Sequence, residues 1–167
     1  MRVFLVGFMG AGKTSTGRAL ARLLGALFWD LDARVEAVAR MSVAEIFRQH
    51  GEPVFRTAEA RQLAELARHA RAVVATGGGT FVLPANREVI CQSGVAVFLD
   101  VPWEELLRRL PGKREERPLF GSPQQALELW RDRLPHYRQA DLCVQPRPGE
   151  DAQAVARRVA GLLGGGS

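Results

Sequence analysis

The chain has 167 residues, 47% of them hydrophobic and 25% charged, which suits one globular domain over residues 1–167 and excludes a disordered or disulfide-stabilised protein. Its formal net charge of +5 comes from basic residues scattered along the chain, which favours anionic small-molecule ligands over nucleic acid. No apolar stretch approaches the roughly eighteen residues of a membrane span and no signal-peptide cleavage pattern follows Met1, so we expect a cytoplasmic protein that binds no membrane.

Five short apolar runs alternate with helical patterns and are typical of strands in a buried parallel sheet. They cover residues 3–6, 26–29, 72–75, 95–99 and 142–144. Ser42 and Glu45 have the form of a capping box that opens a short helix closed by Gly51, so residues 42–70 predict a helical insertion after the second strand. The order of elements predicts a three-layer α/β fold. Cys91 and Cys143 lack metal-ligand spacing and are expected to be buried, reduced thiols.

The first strand leads into a phosphate-binding motif. Residues 7–14 match GxxxxGK[ST] and lie between a strand and a helix, as the motif requires. Glycines let such a loop wrap closely, so that its backbone N–H groups cradle a β-phosphate. We expect Lys13 to reach the β and γ oxygens and the Thr14 hydroxyl to coordinate Mg²⁺. A glycine-rich turn without a ligand is the alternative, which this context disfavours. The expected ATP-binding residues of the loop are Gly10, Ala11, Gly12, Lys13, Thr14 and Ser15.

Two carboxylates follow the second strand. Alternation along a strand would place the side chains of Asp30 and Asp32 on the same side, at the carboxyl end of the sheet where ligands bind. One carboxylate could hold the Mg²⁺ shell, while the other accepts the proton of an attacking hydroxyl. Asp32 could also be the N-cap of a helix that begins near Ala33.

A triple glycine follows the third strand directly: Gly77, Gly78 and Gly79. Glycines there would let a substrate approach the backbone N–H groups, although a plain flexible turn is the alternative. Arg56 and Arg133 could bind a substrate carboxylate bidentately. In a chain this rich in arginine each could equally be a solvated surface residue, and spacing alone does not select them.

Taken together, these motifs resemble the shikimate kinase family from residue 1 to about residue 160. In order, the motifs are GxxGxGKT at 7–14, DxD at 30–32, GExxFRxxE at 51–59, GGG at 77–79, RPL at 117–119 and RxPxY at 133–137. The resemblance implies a P-loop fold of the nucleoside-monophosphate-kinase type with a five-stranded parallel sheet. It also implies a substrate-binding helical insertion at about residues 32–60 and a lid at about residues 111–123.

The activity that the resemblance implies is ATP-dependent phosphorylation of the 3-hydroxyl of shikimate, giving shikimate 3-phosphate on the route to chorismate and the aromatic amino acids. It implies ATP and shikimate as ligands and Mg²⁺ as cofactor, and we expect a monomer. The implied catalytic residues are Lys13, Asp32 and Arg117, with Arg117 reaching from the lid over the transferring phosphate in the manner of an arginine finger.

The remaining implied roles concern binding. Asp30 would act on Mg²⁺ through its water shell, and Asp32 would hold the shikimate hydroxyls as a base or proton-positioning group. The shikimate carboxylate would be gripped by Arg56 and Arg133, with Glu59 orienting Arg56 and the triple glycine lining the pocket. Arg109 and Arg147 would flank the adenine.

Two other functions fit parts of the pattern. A gluconate kinase-like enzyme would also need a grip on a carboxylate, but the triple glycine and the RxPxY motif argue against it. A partner-dependent P-loop ATPase would share only the phosphate-binding loop, and its hydrolysis rate would respond to a macromolecule.

Overall fold

A computed structural model describes residues 1–110 and 121–165 of the chain. Its strands are β1 (Arg2–Val6), β2 (Leu27–Asp30), β3 (Ala72–Ala75), β4 (Val95–Leu99) and β5 (Leu142–Val144). They form one parallel sheet in the order β2-β3-β1-β4-β5, so the predicted five-stranded parallel sheet is confirmed. The bounds of β3, β4 and β5 are those predicted, whereas β1 begins one residue earlier and β2 is shifted by one residue.

Helices connect the strands, as parallel pairing requires. They are α1 (Lys13–Leu24), α2 (Leu31–Ala39), α3 (Val43–His50), α4 (Glu52–Leu66), α5 (Pro84–Ser93), α6 (Trp103–Arg109), α7 (Pro123–Tyr137) and α8 (Ala152–Gly164), with a 3₁₀ turn at Thr80–Val82. Helix α1 packs beside α8, and α5 packs against β4 and the 3₁₀ turn. None of the helices in the described ranges is long and apolar enough to cross a membrane.

The capping box predicted at the start of α3 is present. The Ser42 side chain accepts a hydrogen bond from the Glu45 backbone N–H at 3.2 Å, and the Glu45 carboxylate accepts one from the Ser42 N–H at 2.8 Å. Gly51 ends the helix with a φ of 82°, a conformation that a residue with a Cβ rarely adopts. The short helix therefore begins and ends at the residues that the sequence indicates.

Helix α2 corrects the prediction for the two aspartates. The N-cap of α2 is Asp30, whose Oδ1 accepts a hydrogen bond from the Ala33 N–H at 3.3 Å. Asp32 lies in the first turn of the helix, so it neither caps α2 nor continues the alternation of β2. The N-cap hypothesis for Asp32 is therefore wrong, because α2 begins at Leu31 and not near Ala33, which puts Asp30 in the N-cap position.

The hydrophobic core has two parts. The larger part surrounds the sheet, where the side chains of residues 3–6 in β1 are completely buried between helices. A smaller cluster of Val35, Ile46 and Phe55 joins one residue from each of the helices α2, α3 and α4. The three helices of the insertion therefore share their own packing, while Leu63 and Leu66 of α4 also belong to the larger part of the core.

Two other predictions have different outcomes. Both cysteines are free, but they are exposed rather than buried, because Cys91 lies on the outer side of α5 and Cys143 on the edge strand β5. Of the segment predicted as a lid, residues 111–120 lie outside the described residues, and Arg117 is among them.

Candidate active site

The phosphate-binding loop runs from β1 into α1. Gly10 and Gly12 have φ angles of 80° and 89°, in the left-handed region that favours glycine. Lys13 is buried, and its Nζ donates hydrogen bonds to the carbonyl oxygens of Gly7 and Phe8, each at 2.8 Å. The loop thus curls around its own lysine and ends at the N-terminus of α1, where the helix dipole stabilises an anion.

Arg109 lies against this loop. Its Nη1 donates to the Gly10 carbonyl oxygen at 3.3 Å, and its Nε donates to Glu105 at 2.8 Å. Arg147 is exposed in the loop that follows β5, and its backbone N–H donates to the Glu150 carboxylate at 2.8 Å. Of the two arginines expected to flank the adenine, Arg109 therefore contacts the phosphate-binding loop, while Arg147 stands at the carboxyl end of the edge strand.

Thr14 and Asp30 form an oxygen pair beside the loop. The Thr14 hydroxyl donates to Asp30 Oδ2 at 2.6 Å. Hydroxyl and carboxylate oxygens are the ligands that Mg²⁺ prefers, usually together with water and substrate phosphates. Residues 1–110 and 121–165 hold no cluster of three or more histidine, cysteine, aspartate or glutamate residues that could bind a metal by itself. The pair therefore fits a Mg²⁺ ion that shares its shell with a nucleotide.

Asp32 reaches the triple glycine from the first turn of α2. A Cβ atom placed on Gly77 would lie 2.7 Å from Asp32 Oδ1 and 2.8 Å from Glu59 Oε1. Both distances are shorter than a carbon–oxygen contact allows, so any larger residue would displace the two carboxylates. Position 77 therefore requires glycine because two acidic side chains pack directly on its backbone.

The other two glycines pack against the two arginines. A Cβ atom on Gly79 would lie 2.5 Å from Arg56 Nη2, and one on Gly78 would lie 3.2 Å from Arg133 Nη1. Gly78 also faces the phosphate-binding loop, since the same Cβ would be 3.5 Å from the Met9 nitrogen. The triple glycine is therefore the place where Asp32, both arginines and the P-loop meet.

Arg56 is held by two carboxylates of its own helix. Its Nη1 donates to Glu59 at 2.9 Å, and its Nη2 donates to Glu52 at 3.0 Å. Burial by itself lowers the pKa of Arg56, but the charges and hydrogen bonds of Glu59 and Glu52 outweigh it and raise the pKa. The guanidinium therefore stays charged in a half-buried position, as a fixed cation facing Gly79.

Arg133 is buried in α7, one turn before the end of the helix, and such burial is unusual for a charged residue. Its guanidinium carbon lies 6.0 Å from the centre of the Phe8 ring, within the range of a cation–π interaction. One turn later the Tyr137 hydroxyl donates to the Gly78 carbonyl oxygen. Both side chains of α7 thus converge on Gly78, and the interpretation of Arg133 as a solvated surface residue is wrong.

The structure adds two residues to which the sequence analysis gives no role. Thr80 is completely buried, and its hydroxyl donates to Glu59 Oε1 at 2.6 Å. Tyr137 is also completely buried, and its hydroxyl donates to the Gly78 carbonyl oxygen. The signals in the sequence are their positions, because Thr80 directly follows the triple glycine and Tyr137 ends the RxPxY motif.

Comparisons with known proteins agree on one family. A family model described as shikimate kinase matches residues 9–163. The shikimate kinase of Synechococcus elongatus is 43% identical over 160 residues, which cover 94% of this chain and 83% of that protein. The shikimate kinase of Ruegeria pomeroyi is 46% identical over 145 residues, covering 85% and 74%. A solved structure of the shikimate kinase from Acinetobacter baumannii in complex with shikimate has a TM-score of 0.92 and 37% identity, covering 97% of this chain and 92% of that one.

Proposed function

Because this chain belongs to the shikimate kinase family, we propose that it uses the site between the P-loop and the triple glycine to phosphorylate shikimate with ATP. The reaction transfers the γ-phosphoryl group to the 3-hydroxyl of shikimate, in the pathway to the aromatic amino acids. The observation that carries the proposed location is the contact of Arg56 with Gly79 and of Arg133 with Gly78, directly beside the P-loop. Two fixed guanidinium groups suit a carboxylate-bearing substrate.

The nucleotide occupies the P-loop side of this site. The backbone N–H groups from Gly10 to Ser15 bind the phosphates, and Lys13 offsets the charge on the β and γ oxygens. Arg109 and Arg147 flank the adenine. Thr14 would hold Mg²⁺ directly and Asp30 through water, and the ion, when bound, neutralises charge on the phosphates.

Shikimate occupies the side of the triple glycine. Arg56 and Arg133 bind its carboxylate, and the backbone of Gly77, Gly78 and Gly79 lines the pocket. With the carboxylate fixed there, the ring hydroxyls face Asp32. Support for this orientation comes from the close packing of Asp32 on Gly77, which keeps the Asp32 carboxylate at the pocket wall.

Transfer then requires positioning and charge compensation. Asp32 accepts the proton of the 3-hydroxyl as the new O–P bond forms, and ADP leaves in line on the opposite side. Arg117, which belongs to the proposed lid at residues 111–123, compensates the charge of the transferring group. Closure of the lid keeps water away from the γ-phosphate, so the phosphoryl group is transferred to shikimate and not to water.

An ADP-release assay with a panel of acceptors tests the function. We expect shikimate to stimulate release strongly in the presence of Mg²⁺-ATP, and gluconate, nucleoside monophosphates and nucleic acid to leave it at the rate without acceptor. Removing the metal with a chelator should abolish the stimulation, because the phosphate charge is then uncompensated. The Lys13→Ala variant supplies the background rate.

Two outcomes of this assay would contradict the proposal. Stimulation by gluconate instead of shikimate would indicate the gluconate kinase-like alternative. Stimulation only by RNA or DNA would indicate a partner-dependent ATPase that shares the P-loop.

A further inference from the structure

A buried carboxylate stands behind Arg56. The Glu59 side chain is completely buried on α4, and its two oxygens have different partners. Oε2 accepts the hydrogen bond from Arg56 Nη1 at 2.9 Å, while Oε1 accepts the one from the Thr80 hydroxyl at 2.6 Å. Thr80 comes from the 3₁₀ turn after the triple glycine, so the contact joins the insertion to the sheet.

The surroundings leave this carboxylate little freedom. A Cβ atom on Gly77 would lie 2.8 Å from Glu59 Oε1 and 3.1 Å from Thr80 Oγ1, so all three groups are in close contact. The Thr80 backbone is fixed by its own N–H, which donates to the Gly77 carbonyl oxygen at 3.2 Å. A buried carboxylate oxygen that loses its donor cannot obtain one from bulk water. Without the Thr80 hydroxyl, the Glu59 carboxylate would turn toward another donor, and its hydrogen bond with Arg56 would change in geometry.

We propose that Thr80 is a positioning residue for the substrate carboxylate: its hydroxyl fixes Glu59, and Glu59 in turn fixes the orientation of the Arg56 guanidinium. This inference rests on the proposed role of Arg56. Glu52, the other partner of Arg56, is partly exposed with 47% of its side chain accessible, so it is the weaker constraint. The orientation in which Arg56 binds the substrate carboxylate therefore depends on the buried pair of Thr80 and Glu59.

Thr80→Val tests the role of the hydroxyl, because valine keeps the shape of threonine and removes the donor. We expect the KM for shikimate to rise about tenfold, the cost of a lost hydrogen bond to a charged group, with little change in kcat or in the KM for ATP. Thr80→Ser keeps the donor and should stay close to wild type. Thr80→Ala, which removes the hydroxyl together with the methyl group and adds no new bulk, gives a second measurement if the valine variant does not fold.

Thr76→Val is the matched control. Thr76 precedes the triple glycine as Thr80 follows it, is also buried, and donates its hydroxyl to the Leu5 carbonyl oxygen at 2.9 Å. This variant should lose stability as a buried hydrogen bond is lost, but its KM for shikimate should not change. An equal rise in KM for both valine variants would overturn the proposal, because a general structural effect would then explain it.

The methyl ester of shikimate makes the test specific for the carboxylate. The ester lacks the anionic group that Arg56 binds, so wild type and Thr80→Val should have the same KM for it. The same comparison on an Arg56→Ala background should also show no effect of the threonine. A penalty that persists with the ester, or a Thr80→Ser variant as impaired as Thr80→Val, would overturn the inference.

Failure of the proposed function and failure of this inference give different results. If wild type shows no shikimate-dependent ADP release, the proposed function itself fails. If wild type is active and Thr80→Val has the same KM for shikimate, only this inference fails.

Discussion

Tyr137 is the single tyrosine of the chain, and its side chain is completely buried next to the triple glycine. Its hydroxyl donates to the Gly78 carbonyl oxygen, and its ring packs against Phe98 with the centroids 5.3 Å apart. Burial raises the pKa of Tyr137 to about 12, although the nearby Arg133 acts in the opposite direction. The folded protein therefore stabilises the neutral hydroxyl, which is the form that can donate to Gly78.

This pKa predicts how stability depends on alkaline pH. Below about pH 10 the hydroxyl is protonated in both the folded and the unfolded chain, and the full contribution to stability is present. As pH rises from 10 to 12 the unfolded tyrosine ionises first, so the free energy of unfolding should fall by about 2 to 3 kcal/mol. Urea unfolding of wild type and Tyr137→Phe over this pH range measures the contribution of the tyrosine. The lysines also titrate here, but their contribution is the same in both proteins and cancels in the comparison. Identical slopes in the two proteins would contradict the raised pKa.

Single residues were predictable where a motif fixes both the residue type and the backbone. The P-loop is such a case, because its glycines, lysine and threonine act within eight consecutive residues. Asp32 is a different case: the sequence predicts its place by strand alternation, but it reaches Gly77 from a helix. The position of Thr80 after the triple glycine places it near the site but does not indicate its role, because its partner Glu59 lies 21 residues away in another element.

At the scale of elements, helix α7 shows how burial selects one arginine from many. The buried residues of α7 are Ala126, Arg133 and Tyr137, whose spacings of seven and four place them on one stripe of the helix. Arg131 lies two positions before Arg133, which is more than half a turn around the helix, and it is exposed. The two arginines differ in surroundings although they are close in sequence.

This difference can be measured with a pair of variants. Arg133→Ala should raise the KM for shikimate about 10- to 100-fold, the range expected for lost charge-assisted hydrogen bonds. Arg131→Ala removes the same side chain from the solvent-facing side of α7 and should leave the KM close to wild type. Steady-state kinetics with varied shikimate distinguishes the two. Equal effects of both substitutions would exclude a specific contact of Arg133 with the substrate.

The helical insertion was predictable in part. Helix α3 follows from its capping box and from Gly51, which are signals within ten consecutive residues. The packing of α2, α3 and α4 around Val35, Ile46 and Phe55 does not follow from local patterns, because it depends on how three elements meet in space. For the same reason the spacing of Arg56 could not show that it faces Gly79.

At the scale of the whole molecule, the strand order brings the two substrates together. Strand β3 is the neighbour of β1, so the triple glycine that follows β3 lies beside the P-loop that follows β1. Strand β2 lies on the other side of β3 and places Asp30 and Asp32 at the same edge. The phosphate-binding loop therefore follows the central strand β1, while the triple glycine and Asp32 of the proposed shikimate site follow β3 and β2 on one side of it.

The three tryptophans report on these two sides separately. Trp103 packs against Phe8 of the P-loop at 6.4 Å and against Trp130 at 5.8 Å, whereas Trp29 packs against His69 on the other side at 5.6 Å. We expect Mg²⁺-ADP to change the tryptophan emission of wild type and of Trp29→Phe, because phosphate binding reorganises the P-loop around Phe8. The change should be lost in Trp103→Phe. A change that persists in Trp103→Phe would contradict this assignment.

The central place of β1 also affects how the chain is made. Residues 2–6 leave the ribosome well before their partners β3 and β4, which end at residues 75 and 99. At about 5 to 20 residues per second, β4 follows β1 by about 5 to 20 seconds. Until β4 has been made, a strand whose residues 3–6 are completely buried in the finished protein has at least one unpaired edge, which is the condition that promotes aggregation and chaperone binding. Nascent chains that end before residue 99 should therefore depend on chaperones, and the sheet can close only after β4 has been synthesised.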